Sequence, residues 1–333
     1  MAQTILPKPD VETTTAPKKT RRKQPAATEA TLPDSPLAKF PNLVRSAAEA
    51  EARLAAKAID TTPEPMETQL ALPFWPDGFR ALPNEIFRSS LFNARNKRLK
   101  REFLREAEIF VIGTGRVTYT GEELRQDDET VWLQLIQLAK AQPLGSVVQF
   151  TAGSFVKAVG WPRTKESYER LRACLIRMQA TSLQVVAKRL GTDSGKGLSM
   201  IPEFEWQDRE TEKPLRQYKV VLAPALVKLF GGKGHFTRVE WDQRLKLPAG
   251  LATWLHGYFA SHREPYPIRL DSIRQGAGLT TARLAHVREL VEDALDELKR
   301  VNFLDAWRID GPDKDLVSVQ RSNIAMPELE LDE

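Results

Sequence analysis

One arrangement of apolar residues, prolines and glycines occurs twice in this 333-residue chain, about 120 residues apart, and it leaves few folds open. The later copy runs from Ala252 to Ile309. Trp254, Leu255, Tyr258 and Phe259 recur at helical spacing, and Pro265 and Pro267 then forbid helical continuation. Ile268 and Leu270 alternate with Arg269, as a half-buried strand does. Asp271 is placed to cap a short helix, which Gly276 and Gly278 end in a tight turn. A longer helix follows from about Thr280 to Arg300, with Val287, Leu290, Val291, Ala294, Leu295 and Leu298 on its apolar side. Phe303, Leu304, Trp307 and Ile309 predict a strand, and Leu316, Val317 and Val319 a second one beyond a Gly311-Pro312 turn.

The earlier copy spans Val131 to Val186. Trp132, Phe150, Gly160, Leu175 and Met178 answer Trp254, Leu270, Gly278, Leu295 and Leu298, at offsets of 122, 120, 118, 120 and 120 by subtraction. Two successive domains of one type follow from this, not a solenoid, because there are two copies and the period is domain-sized. Helix, turn and helix followed by a hairpin is the winged-helix plan, whose second helix usually enters the DNA major groove. The expected fold class is therefore α+β, with two tandem winged-helix domains at 79–232 and 233–321.

Outside the two copies the residues change character. Residues 1–66 are rich in Pro, Thr, Ala and Lys, too poor in large apolar groups to offset ordering entropy, and read as a disordered tail. Lys18, Lys19, Arg21, Arg22 and Lys23 form a basic cluster within it, either a solvated run or a non-specific grip on phosphates. Ser46 to Ile59 is Ala-rich and reads as a marginal isolated helix. Residues 67–78 are a linker. Asp77 to Lys100 carries apolar residues at helical spacing and leads into Arg95, Lys97, Arg98, Lys100 and Arg101. Ile109 to Tyr119 predicts two strands about Gly113-Thr114-Gly115, and Thr120 with Glu123 reads as a capping box. A helix is expected at Thr164–Ala180, then strands near 183–187, 198–206 and 218–222 and a short helix at 224–230. Residues 322–333 form an acidic tail.

The charge is mildly basic, +5 with 49 Lys and Arg against 44 Asp and Glu, which suits a nucleic-acid partner without proving one. No apolar run approaches the roughly 20 residues a membrane span needs, and the N-terminus lacks a signal-peptide core. The lone Cys174 excludes an internal disulfide and suits a reducing cytoplasm; it is read as a small core residue rather than a reactive thiol. Four histidines without ligand-like spacing argue against a metal site, and no cofactor is implied. GTDSGKG at Gly191–Gly197 is one residue short of a phosphate loop and has Gly197 where Ser or Thr should stand, so a wing between strands accounts for it better. No nucleophile or paired-carboxylate arrangement is evident, and the chain reads as a binding protein, not an enzyme.

Gln69-Leu70-Ala71-Leu72-Pro73-Phe74 has the form QLxLxF, which resembles the peptide that bacterial replication proteins dock on the DNA sliding clamp. Leu72 and Phe74 would fill an apolar pocket, with Gln69 hydrogen-bonding and Leu70 beside them; alternatively Leu70, Leu72, Phe74 and Trp75 pack on the first domain. More broadly, the stretches ALPFWPDGFRALPNEIFRSSLFNARNK, VTYTGEELRQDDETVW, LIRMQATSL, YFASHREPYPIRL and DALDELKRVNFLDAWRI resemble the TrfA family of plasmid replication initiators, over about Gln69 to Arg321.

That resemblance implies binding of double-stranded origin DNA at repeated iterons, opening of adjacent AT-rich DNA, and recruitment of host machinery: the sliding clamp, DnaA and the DnaB helicase. It implies a homodimer in equilibrium with a monomer that loads on iterons. The family's clamp peptide is a pentapeptide, whereas Pro73 here makes the longer hexapeptide. For DNA contacts, the second long helix offers Thr280, Thr281, Arg283, His286 and Arg288 at its start, and the first offers Arg163, Lys165, Arg170 and Arg172. Arg170 and Arg288 address guanine, phosphate or a surface carboxylate; sequence leaves these open. A winged-helix transcriptional regulator is the competing reading, and the clamp-like peptide is what separates the two. A nicking enzyme would need a tyrosine beside clustered metal-binding histidines, and none of the five tyrosines has that setting.

Overall fold

The computed structural model describes residues 72–322, with breaks at 74, 114, 142–146, 187–197, 208–213, 225–226, 231–234 and 312–314. The expected tails, the basic cluster at 18–23, the helix at 46–59, the GTDSGKG wing and the clamp-like residues Gln69, Leu70 and Phe74 lie outside the described residues.

The fold is a mixture of helices and small sheets. In chain order it begins with β1 (Phe79–Pro83), α1 (Asn84–Phe87), β2 (Phe92–Asn93), β3 (Phe103–Ile109), β4 (Arg116–Glu122) and β5 (Leu124–Arg125). Then come α2 (Gln126–Ala139), β6 (Val147–Phe150), α3 (Ala152–Ala158), α4 (Lys165–Gln179), β7 (Ser182–Val186), β8 (Glu203–Gln207), β9 (Pro214–Val221) and α5 (Val227–Phe230). The chain continues through β10 (Phe236–Glu240), α6 (Trp241–Leu245), α7 (Leu251–Ala260), β11 (Ile268–Arg269), α8 (Leu270–Gly276), α9 (Leu284–Arg300), β12 (Leu304–Asp310) and β13 (Leu316–Arg321).

The repeat folds as one plan twice. In the first copy α2, β6, α3 and α4 are followed, after β7, by β8 and β9, which form the sheet β6-β9-β8; in the second α7, β11, α8 and α9 are followed by β12 and β13, which form β11-β13-β12. Gly160 and Gly278, the paired turn residues, both adopt left-handed backbone, at φ +71° and +64°. Leu175 and Leu295, and Met178 and Leu298, are all fully buried on the two long helices. Alternation builds the strands: in β4 every second residue, Val117, Tyr119 and Gly121, is buried. The antiparallel sheet β3-β4-β7 flanks the first copy, β6-β9-β8 lies beside it, and β11-β13-β12 completes the second.

Two buried apolar clusters result. One gathers residues from Leu72 to Trp241 about α2 and α4; the other gathers Leu247 to Val317 about α7 and α9, together with Ala94. β10 pairs antiparallel with β1, Phe79 opposite Glu240, and so ties the chain after residue 234 back to the first cluster. Helix α2 is the centre of the first cluster: Val131, Leu133, Leu135, Ile136 and Ala139 have no exposed surface.

Four local expectations are corrected. Asp77–Lys100 is not one helix but β1, a single turn α1 and β2; Pro83 closes the strand, and the backbone groups of β1 are taken by β10. Thr120 lies in β4, where its hydroxyl accepts from the Glu106 N–H, and α2 is instead capped by Asp128, whose carboxylate accepts from the Arg125 N–H at 2.8 Å. Asp271 sits inside α8 and binds the side chains of Arg274 and Gln275, while Arg269 occupies the cap position. The long helix of the second copy starts at Leu284, so Thr280, Thr281 and Arg283 precede it.

Candidate nucleic-acid interface

The residues expected to touch DNA are placed by the two helix-turn-helix segments. In the first, Thr164 caps α4 by accepting from the Ser167 N–H at 3.4 Å, a weak contact. That start puts Arg163, Lys165 and Arg172 on the exposed side, with Leu171, Cys174, Leu175 and Met178 buried opposite. Lys165 is 84% exposed, with Glu169 one turn away at 3.9 Å. In the second, the carbonyl of Arg283 accepts from the His286 and Val287 N–H groups and opens α9. Thr280, Arg283 and His286 are exposed, Thr281 and Arg288 half-buried, and the His286 ring meets Glu289 at 3.1 Å.

Arg170 is different from its neighbours. Its guanidinium stacks 4.1 Å above the Trp161 ring and lies 3.4 Å from the Asp127 carboxylate. Burial pushes the Asp127 carboxyl up, but Arg101 and Arg170 outweigh that and hold it below the usual carboxylate range. Asp127 is therefore anionic, and Arg170 is held between a ring and a carboxylate.

A groove of about 740 Å³ joins the two halves. Arg170 lies on one wall, and Thr280, Thr281, His286 and Leu290 on the other. Ala94, Arg95, Asn96, Lys97 and Leu99, of one segment, and Arg125 also line it. Sequence reasoning noted the basic residues of that segment without assigning them to a site. The signal was present, in Arg95, Lys97, Arg98 and Lys100, but only the tertiary fold brings Arg95 and Lys97 to a groove shared with Arg170 and Thr280.

Of the clamp-like peptide, Leu72 and Pro73 are described, and Leu72 is buried at 6% exposure in the first cluster, which also holds Trp75. Cys174 is fully buried, and burial pushes its thiol well up. Among the described residues no helix is long and apolar enough to cross a membrane.

Comparison with known proteins gives one family, one relative and two solved structures. The TrfA protein family matches residues 42–321. The plasmid replication initiator protein TrfA of Escherichia coli is 36% identical over 277 residues, covering 81% of this chain and 70% of that protein. Among solved structures, the Pi initiator protein in complex with iteron DNA is similar at a TM-score of 0.50 with 11% identity, over 73% of this chain and 96% of that one. Domains 2 and 3 of RctB match at a TM-score of 0.49, with 14% identity, over 72% of this chain and 98% of that one.

Proposed function

The chain belongs to the TrfA protein family, and from that premise we propose that it is a plasmid replication initiator that binds iterons through two winged-helix modules, residues 79–232 and 233–321. The observation that carries this reading is the duplicated helix-turn-helix, with left-handed glycines at the matched turns and a shared groove between the two copies. In each module the helix after the turn, α4 or α9, is the reading element, followed by strands β7 and β12. Two such modules in one chain cover two successive major grooves without a two-fold partner.

The modules divide the work by chemistry. Arg163, Lys165 and Arg172 bind phosphates and base edges in one groove; Thr280, Thr281, Arg283, His286 and Arg288 do so in the next. Thr280, Thr281 and Arg283 act from the extended segment before α9. Arg170, stacked on Trp161 and tied to Asp127, positions the first module's surface and gives phosphate a fixed positive wall. Each Lys or Arg that neutralises a phosphate releases counterions, so affinity falls steeply with salt. Chains bound at tandem iterons add up distortion energy and open the neighbouring AT-rich duplex at its flexible steps.

The Gln69–Phe74 peptide docks on the host sliding clamp, DnaA and the DnaB helicase are recruited at the opened origin, and a homodimer stores the chain in a form that loads poorly. No step in this scheme asks the protein for covalent chemistry.

The test is binding of the purified chain to cloned tandem repeats from its own plasmid's origin, against scrambled DNA, at two salt concentrations. Tight, salt-sensitive preference for the repeats, with permanganate-reactive thymines beside them, supports initiation. Preference without reactive thymines leaves a transcriptional regulator, and equal binding to both DNAs removes sequence-specific action altogether.

A further inference from the structure

We propose that the segment Asn96–Lys100 is a third DNA contact, a rigid basic bridge that seats on the minor groove between the two major grooves entered by the modules. This rests on the two-module reading above. When two helices occupy successive major grooves on one face of B-DNA, the minor groove faces the protein midway between them. What lies between the modules here is a segment that lines the shared groove through Ala94, Arg95, Asn96, Lys97 and Leu99.

The segment is held from both sides. On the second module's side, the Ala94 N–H donates to the Ala277 carbonyl at 2.8 Å, and Arg95 Nε donates to the Gly278 carbonyl at 3.0 Å. On the first module's side, the guanidinium of Arg125, 4% exposed, donates to the carbonyls of Asn96, Leu99 and Lys100 at 2.8, 3.0 and 3.2 Å. Arg125 is itself held by Glu123, to which it donates at 3.1 Å. The Asn96 side-chain oxygen accepts from the Arg98 N–H, and the Asn96 carbonyl from the Leu99 N–H, which closes a tight turn. A buried arginine spent on three carbonyls of one loop fixes its shape before any ligand arrives.

The side chains point to a phosphate-rich partner with an apolar floor. Lys97, Arg98 and Lys100 are exposed and make no ion pair among the described residues, unlike Arg95 and Arg101, which bind carboxylates. Leu99, between them, is half exposed at 50%. Cations on both sides of one exposed leucine match the two phosphate rails of a minor groove with sugar faces between them. The lysines and the arginine take the rails, and Leu99 lies against the sugars.

The experiment uses the full chain on a fragment with its own origin iterons. Lys97→Ala, Arg98→Ala and Lys100→Ala together should lower the slope of log affinity against log salt by about 2–3 and weaken repeat and scrambled DNA alike. Leu99→Ser should weaken binding several-fold with the slope unchanged. Hydroxyl-radical footprints of the wild type should show protected sugars midway between the two major-groove sites, and the triple variant should lose that protection while keeping the flanking protections. A wild-type footprint open at the centre, or a triple variant with the wild-type slope, overturns the bridge while leaving the two-module reading intact. Failure of the wild-type chain to prefer its repeats instead sinks the reading beneath it. Circular dichroism of each variant guards against unfolding, and the single Lys97→Ala, with an expected slope change of about 1, stands in if the triple does not fold.

Discussion

Arg244 and Glu129 form a buried ion pair, 2.7 Å apart and only 1% and 3% exposed, between residues 115 apart in sequence. Arg244 also donates to the Thr253 carbonyl at 3.0 Å and to Gln126 Oε1 at 3.2 Å. One guanidinium on α6 thus links α2, in the first cluster, to α7, in the second. Removing one partner leaves the other charge buried and alone. Arg244→Ala should destabilise the chain by about 3–5 kcal/mol in denaturant titrations. The pair Arg244→Met and Glu129→Leu should recover much of that, because it buries neither charge. A single variant within about 0.5 kcal/mol of wild type would mean the pair is hydrated in solution.

His256 gives an acid-side prediction. It is fully buried in α7 beside Gln243, and its Nδ1 has no hydrogen-bond partner among the described residues. Burial holds its pKa well below the ordinary histidine value, and the nearby Arg244 and Arg321 add to that. The folded state therefore keeps the ring neutral while the unfolded chain takes up a proton below about pH 6.5. Stability is complete above that pH and declines as pH falls through it, by up to about 1.4 kcal/mol per pH unit for one proton. His262, also lowered by burial and Arg88, adds in the same direction. His256→Phe should make the decline between pH 6.5 and 5 visibly shallower in chemical denaturation; an unchanged slope would assign the proton elsewhere.

The duplicated plan was legible because apolar periodicity and turn glycines are local signals, and both copies kept them. What sequence did not disclose is the use of charge inside the fold. Asp128 and Glu129 look like the solvated acids of a helix's first turn, yet both are buried, Asp128 against Arg101 and Arg177 and Glu129 against Arg244. Gln134 lies on the same helix and accepts from Arg80, which burial pushes down to about 10. These partners are distant in sequence, and no periodicity marks them. β1 was misread for a related reason: its partner β10 lies more than 150 residues on, so a short apolar run resembled a helix. The residues proposed to face DNA, at and before α4 and α9, are marked by type and position alone, whereas the basic segment at 95–100 becomes a candidate through the fold, which bonds Arg95 to Gly278.

The matched glycines should differ in what they tolerate. Both Gly160 and Gly278 have positive φ, which costs an alanine about 1 kcal/mol. A Cβ on Gly160 would meet Leu245 at 3.6 Å, an ordinary contact, but one on Gly278 would lie 2.7 Å from the Asn93 Cβ. Gly278→Ala should therefore lower stability by roughly 1–3 kcal/mol more than Gly160→Ala. It should also disturb the Gly278 carbonyl that Arg95 holds. Equal melting temperatures for the two variants would refute the close approach of the turn to Asn93.

The two helices proposed to read DNA, α4 and α9, make separable predictions. Arg283→Ala with Arg288→Ala should sharply lower the preference for iterons over scrambled DNA, each lost base contact costing about 1–3 kcal/mol. Lys165→Ala, at an exposed position whose nearest carboxylate is 3.9 Å away, should weaken binding to every sequence about equally and lower the salt slope by about 1. Gel-shift titrations at several salt concentrations distinguish these outcomes. Loss of specificity from Lys165→Ala alone would put Lys165 on a base edge instead of a phosphate.

Leu72 sets a condition on clamp docking. Its side chain is 6% exposed in the first apolar cluster, so a clamp that takes Leu72 must draw it out of the fold. The free energy of that release is subtracted from the docking affinity, which weakens the free chain's grip. Leu72→Ala should then have two effects, a stability loss of about 2–3 kcal/mol and a loss of clamp binding. Gln69→Ala should reduce clamp binding on its own, about tenfold, in surface plasmon resonance with immobilised clamp. A short peptide spanning 67–76, which has no core to leave, should bind more tightly than the full chain. Full-length binding as tight as the peptide's, with Gln69→Ala inert, would return Leu72 to a purely structural role and take the sliding clamp off the list of partners.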